Sequence, residues 1–149
     1  MAERKLKIQQ SYFVAAPVSK VFRALSDPRG LTTWFLAKAQ VEPRKGGAYE
    51  FEWRAGYRHS GKVLDFVRGK KLSLTWPNGV GRKRLTTRVT FSVRRQGRGT
   101  RVHLRHTGYP RSDPWIEVYG ATQCGWSYFL MNLKSVLEHG HDLRSPKDG

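Results

Sequence analysis

Nine large rings and a few histidines and carboxylates carry whatever chemistry this chain can do. Trp34, Phe35, Tyr49, Phe51, Trp53, Trp76, Tyr119, Trp126 and Phe129 are many for 149 residues. Converging, they would line a pocket for a flat or lipid-like molecule, oriented by a few polar tips. The alternative is that they pack on one another as core. His106 has the parity of Val102 and Leu104 and is expected to face the same interior, as a hydrogen-bonded core residue or as a general base. Asp65 is harder to place, because a bulge near Gly61 could flip its parity. Facing inward near Arg54, Arg58 or His59, it would anchor a ligand or become an acid of raised pKa. Asp65 and His106 together are the candidate acid and base of a cyclase- or hydrolase-type enzyme.

Other chemistries find no footing. His59, His103, His106, His139 and His141 have no metal-ligand spacing, and His103 and His106, three apart on a strand, point to opposite faces. Neither a metal nor a cofactor is expected. Cys124 has no fixed histidine partner and reads as a small buried core residue rather than a nucleophile. No glycine-rich loop opens a helix to cradle phosphate, and there is no serine elbow. Glu50 and Glu52 lie opposite Tyr49, Phe51 and Trp53 and are expected in solvent. No residue is therefore assigned a catalytic role, and a binding domain is the leading reading over an enzyme.

The elements that must position these residues follow from periodicity. From Trp115 to His139, Tyr119, Thr122, Trp126, Phe129, Leu130, Leu133, Val136 and Leu137 form one apolar stripe on a long helix. Asp113-Pro114 is read as its start. Earlier, Leu6 to Phe13 reads as a strand, Val18 to Ser26 as a short helix, and Pro28 to Trp34 as another. Six strands follow. One precedes the Gly46-Gly47 turn; the others are placed at Tyr49–Trp53, Arg58–Phe66, Lys71–Trp76, Leu85–Val93 and Thr100–His106. Pro77-Asn78-Gly79 is expected to close one hairpin and Arg95 to Gly99 the next. The pattern predicts a single α+β domain over residues 1–149: a curved seven-stranded antiparallel sheet wrapped around the C-terminal helix, a helix-grip fold.

Charge and composition set further bounds. The formal net charge is +17, and no acidic residue lies between Phe66 and Ser112. By strand parity Arg84, Arg88, Arg94, Arg101 and Arg105 share the outer sheet face. That face suggests a polyanion- or protein-binding surface, including weak, sequence-independent nucleic-acid binding; the alternative is a merely solvated face. Arg4, Lys7, Arg144 and Lys147 serve as a comparison set for diffuse charge. No apolar run approaches the roughly 18 residues of a membrane span. The charged start of the chain and the lone Cys124 fit a cytoplasmic protein, monomeric or homodimeric.

An ordered set of residues resembles a known family. It comprises Ala16-Pro17-Val18 with Val21-Phe22 and Leu25; Asp27-Pro28 with Leu31 and Trp34-Phe35; Gly46-Gly47 with Tyr49; and Gly61-Lys62-Val63-Leu64 with Asp65. It continues through Leu72–Trp76, Val89-Thr90-Phe91, Gly99-Thr100, Leu104 with His106-Thr107-Gly108, and Gly125-Trp126 with Leu130, Leu133 and Leu137. In this order they resemble the family named after the activator of Hsp90 ATPase homologue 1, within the START-like, Bet v 1-like (SRPBCC) superfamily. The resemblance implies a helix-grip domain. Its superfamily includes hydrophobic-ligand carriers, aromatase and cyclase domains, and some hydrolytic or isomerising enzymes. The eukaryotic co-chaperone carries much of its chaperone contact on a separate N-terminal domain, for which this chain has no room.

Overall fold

Alternation of apolar and polar side chains commits much of this chain to strands with one buried face. The computed structural model describes residues 4–146. In chain order the elements are β1 (Leu6–Val14), α1 (Val18–Ser26), α2 (Pro28–Leu31), β2 (Lys38–Val41), β3 (Ala48–Glu52), β4 (Arg58–Val67), β5 (Lys71–Val80), β6 (Lys83–Gln96), β7 (Gly99–Tyr109) and α3 (Trp115–His139). The strands form one antiparallel sheet in the order β1-β7-β6-β5-β4-β3-β2. On β6, Thr87, Val89, Phe91 and Val93 are buried while Arg84, Arg88 and Arg94 are exposed. On β7, Val102, Leu104 and His106 face the same interior.

α3 lies across the inner face. Trp126, Phe129, Leu130 and Leu133 of its stripe are buried, and Tyr119, Val136 and Leu137 pack against the core. Gly140, at φ 67°, ends it in the left-handed conformation that glycine adopts freely. α1 buries Val21, Phe22, Ala24 and Leu25. Asp27 caps α2 through Gly30 N–H, with Pro28 in its first turn.

Four sequence expectations are corrected. The second short helix ends at Leu31, not Trp34; the chain then turns so that the Trp34 indole N–H can donate to Ala24 O at 2.7 Å. β5 does not stop at Pro77. It runs to Val80, with Pro77 opposite Thr86 and Asn78 opposite Leu85, and the turn falls at Gly81. The ladder to β4 has ended by Leu74, so Pro77 sits on a locally open edge, where a missing N–H is tolerated. Asp113 does not cap α3. Pro114 is the capping residue, without a side-chain bond, and Ser112 O takes the Trp115 and Ile116 N–H groups. Cys124 is exposed rather than buried, on the side of α3 away from Trp126.

Candidate functional site

Eight of the nine rings converge between sheet and helix, and Phe35 is their centre. Its ring lies 4.8 Å from Trp34, 5.0 Å from Phe129, 5.3 Å from Trp53, 5.5 Å from Trp126, 6.2 Å from Phe51 and 6.5 Å from Trp76, centroid to centroid. Tyr49 packs on Phe51 at 4.6 Å. Phe35 and Trp34 stand on the connection between α2 and β2, and Trp53 just past the end of β3; the other rings come from strands and α3. Tyr119 lies at the rim. It packs edge-on against Tyr109 at 5.9 Å and donates to Lys7 O at 3.0 Å. Ring meets ring throughout this interior.

His106 is fully buried and fully bonded. The Trp126 indole N–H donates to its Nδ1 at 3.0 Å, so the proton sits on Nε2, which donates to Thr87 Oγ1 at 2.7 Å. Asn78 Nδ2 donates to the same hydroxyl at 3.0 Å, and Asn78 Oδ1 accepts from Tyr109 O–H at 2.6 Å. Burial pushes the His106 pKa down to about 3, so the ring is neutral at physiological pH. With both nitrogens engaged, it is a core residue that ties β6, β7 and α3 together.

Asp65 is not an interior residue. The register shifts between Val63 and Asp65, and Asp65 pairs with Ser73 on the outer face. There it meets Lys71 Nζ at 2.8 Å, and that hydrogen bond holds its pKa below the usual carboxylate range. Asp65 and His106 therefore stand on opposite sides of the sheet and cannot act as an acid–base pair. Gly61 is a point of close approach rather than the bulge. A Cβ there would collide with Thr75 Oγ1 and come within 2.9 Å of the Tyr49 ring.

His59 went unassigned in the sequence. Its ring lies edge-on between Trp53 at 4.6 Å and Trp76 at 4.9 Å, and its Nδ1 is buried without a hydrogen-bond partner. Burial lowers its pKa to about 4. Parity with Phe51, its register partner, was the available signal.

A second missed cluster closes the far end of α3. Asp142 accepts from Arg54 at 2.9 Å, from Asn132 at 3.0 Å and from Arg144 at 3.0 Å. Arg144 also donates to Leu36 O and Thr32 O, and Asn132 to Trp34 O. Burial alone would raise the Asp142 pKa, but these bonds hold it well below the ordinary value. Arg144 is thus a buried structural residue and not a sample of diffuse charge; Lys147 lies outside the described residues.

On the outer face the five arginines differ. Arg88, Arg94 and Arg105 are exposed and make no ion pair among the described residues. Arg84 folds back onto Gly81 O and Lys83 O, and Arg101 bonds Gln96 at 2.7 Å. A cleft of about 470 Å³ is lined by Lys71, Ser73, Arg88, Thr90, Arg105 and Thr107. Glu52 pairs with Arg58 at 2.7 Å on this side of the sheet, as its parity requires. Among the described residues no histidine, cysteine or carboxylate cluster could hold a metal, and no helix is long and apolar enough to cross a membrane.

A curved antiparallel sheet closed by one long helix over a ring-lined interior defines a START-like, helix-grip domain. The chain belongs to the activator of Hsp90 ATPase homolog 1-like family, whose model matches residues 15–138. No curated protein matches it by sequence. Among solved structures, a Mesorhizobium loti protein superposes with a TM-score of 0.80 at 24% identity, over 91% of this chain and 99% of that one. DynU16, from the dynemicin biosynthetic locus, gives 0.79 at 23% over 94% of this chain and 50% of its own. The Aha1 dimer of Colwellia psychrerythraea gives 0.74 at 20%, over 91% and 98%. These likenesses show the fold.

Proposed function

We propose that this protein is a non-enzymatic binding domain that holds a hydrophobic or aromatic small molecule between the sheet and α3. The observation that carries the reading is the ring cluster centred on Phe35. Its central ring is borne on a connection rather than on a strand or helix, so a ligand can take its place while Trp76 on β5 and Trp126 on α3 stay put. A flat apolar ligand would exchange one set of ring contacts for another, with Trp53, Trp76 and Trp126 as walls. An apolar fluorophore should bind with micromolar affinity, about −8 kcal/mol. Phe35→Ala should raise the affinity by vacating the centre. Binding indifferent to both Phe35→Ala and Trp76→Ala would place the site elsewhere and sink the reading.

A second reading rests on the outer face. Arg88 and Arg105 flank a cleft floored by Ser73 and Thr90 in a stretch without acidic residues, which suits a phosphate backbone. With Arg88, Arg94 and Arg105 on phosphates, log affinity for duplex DNA should fall with log salt at a slope of about −2.7. Reversing Arg88, Arg94 and Arg105 should abolish binding, while reversing the Arg4 and Lys7 comparison set should not. Equal losses from the two sets would reduce the effect to net charge.

A further inference from the structure

The sheet is not continuous along the junction of β4 and β5. The ladder between them covers only Val63–Val67 and Lys71–Leu74. Below it, Arg58–Lys62 pairs with β3 alone, and Thr75–Val80 pairs with β6 alone. The two strands part there. At the head of the gap Thr75 Oγ1 accepts from Lys62 N–H of β4 at 3.0 Å, and the hydroxyl of Tyr49, on β3, donates to Thr75 O. The close approach of the Tyr49 ring over Gly61 holds this arrangement. Strands that diverge leave backbone edges unpaired within the sheet.

His59 stands in that gap. It reaches inward from β4 with Trp53 on one side and Trp76 on the other, and both tryptophans touch Phe35. Buried polar atoms in folded proteins almost always have partners. Among the described residues, only His59 Nδ1 is a buried side-chain nitrogen or oxygen with none. The imidazole is neutral at physiological pH, and in its Nε2–H tautomer Nδ1 is a hydrogen-bond acceptor. The neighbourhood is thus apolar and aromatic with a single open acceptor. That combination selects for a flat molecule with one donor, because an apolar analogue leaves the nitrogen unsatisfied and a strongly polar one meets no second partner.

We propose that the ligand takes the Phe35 position and reaches toward the β4–β5 divergence, its ring system against Trp53 and Trp76, which meet edge-on at 5.8 Å, and its hydroxyl or amide N–H on His59 Nδ1. The ligand class is then a flat, largely apolar molecule with one hydrogen-bond donor, a phenol or an aryl amide. This rests on the interior binding reading above and adds to it the place and the polar contact.

The test uses the full chain with two probes, 1-naphthol and 1-methoxynaphthalene, which share a ring system and differ in the donor. Naphthol should bind about tenfold tighter than the ether, the return on one satisfied buried acceptor. In His59→Phe, which keeps an aromatic ring against Trp53 and Trp76, that preference should vanish while ether binding stays within about twofold. Long-range ¹H–¹⁵N spectra should show the His59 Nδ1 resonance moving with naphthol and not with the ether. Equal affinity of the two probes for the wild-type protein, a preference that survives His59→Phe, or an unmoved His59 resonance would each overturn the polar contact while leaving interior binding intact. If neither probe binds at millimolar concentration, the interior reading and this inference fall together.

Discussion

The two flanks of Trp76 look alike by composition and differ in one respect. On one flank His106 lies 6.0 Å from the Trp76 ring; on the other His59 lies 4.9 Å away. Both imidazoles are held neutral by burial, and both are surrounded by rings. Every polar atom around His106 has a partner, through Trp126, Thr87, Asn78 and Tyr109. His59 Nδ1 has none. Burial and aromatic neighbours therefore do not separate core from site in this fold. Satisfied hydrogen bonds do: the His106 flank specifies how three elements meet, and the His59 flank keeps a contact in reserve.

Four measurements break or sharpen that contrast. Trp126→Ala should cost about 4–5 kcal/mol in denaturant unfolding, because it deletes a core indole and strips His106 Nδ1 of its donor. A loss near 1 kcal/mol would mean the His106 network does not hold the fold.

Acid comes next. His106 binds its proton less readily folded than unfolded, so the unfolded chain takes up more protons and stability falls as pH drops below about 6.5, continuing until the folded ring titrates near 3. At pH 5 this should amount to about 2 kcal/mol, with a comparable share from His59, whose loss levels off sooner, near pH 4. Asp65, Glu138 and Asp142, held low by their partners, add their own losses as pH falls below about 5. Unfolding free energies flat between pH 6.5 and 5 would contradict the burial of both rings.

Tyr109→Phe should cost about 1 kcal/mol, since it leaves Asn78 Oδ1 without its donor at the closed flank. His59→Phe should change stability by less than about 0.5 kcal/mol, because it removes a nitrogen that has no partner and keeps the ring. A cost above about 1.5 kcal/mol for His59→Phe would show that Nδ1 is bonded after all and erase the contrast.

Much of the architecture was legible because its causes are local. The stripe from Tyr119 to Leu137 and the alternation of Val89, Phe91 and Val93 each need only a few neighbours to interpret. The corrections arise where a distant partner decides. Asp65 changes face because of a register shift against β5, which no single strand encodes. Pro77 and Asn78 look like a turn, yet they lie in a strand whose other neighbour has already diverged. Arg144 reads as a tail charge until Asp142, Arg54 and two carbonyls close around it. The rings of the interior were named from the sequence, but their order around Phe35 was not, because a residue on a connection has no periodicity to read.

β1 completes the sheet by pairing with β7, Leu6 against Tyr109 and Val14 against Thr100. The first strand made is therefore among the last to be placed. While the chain is emerging from a ribosome, β3, β4, β5 and β6 can form successive hairpins, but the partner of β1 does not yet exist. Until β7 and α3 arrive, Phe35, Trp53 and Trp76 have no lid. Closing so long a loop is entropically slow, so refolding should run on the millisecond-to-second scale typical of non-local β topologies. Throughout that interval the nascent sheet shows a sticky face, and a chaperone that shields aromatic surface would find its substrate there.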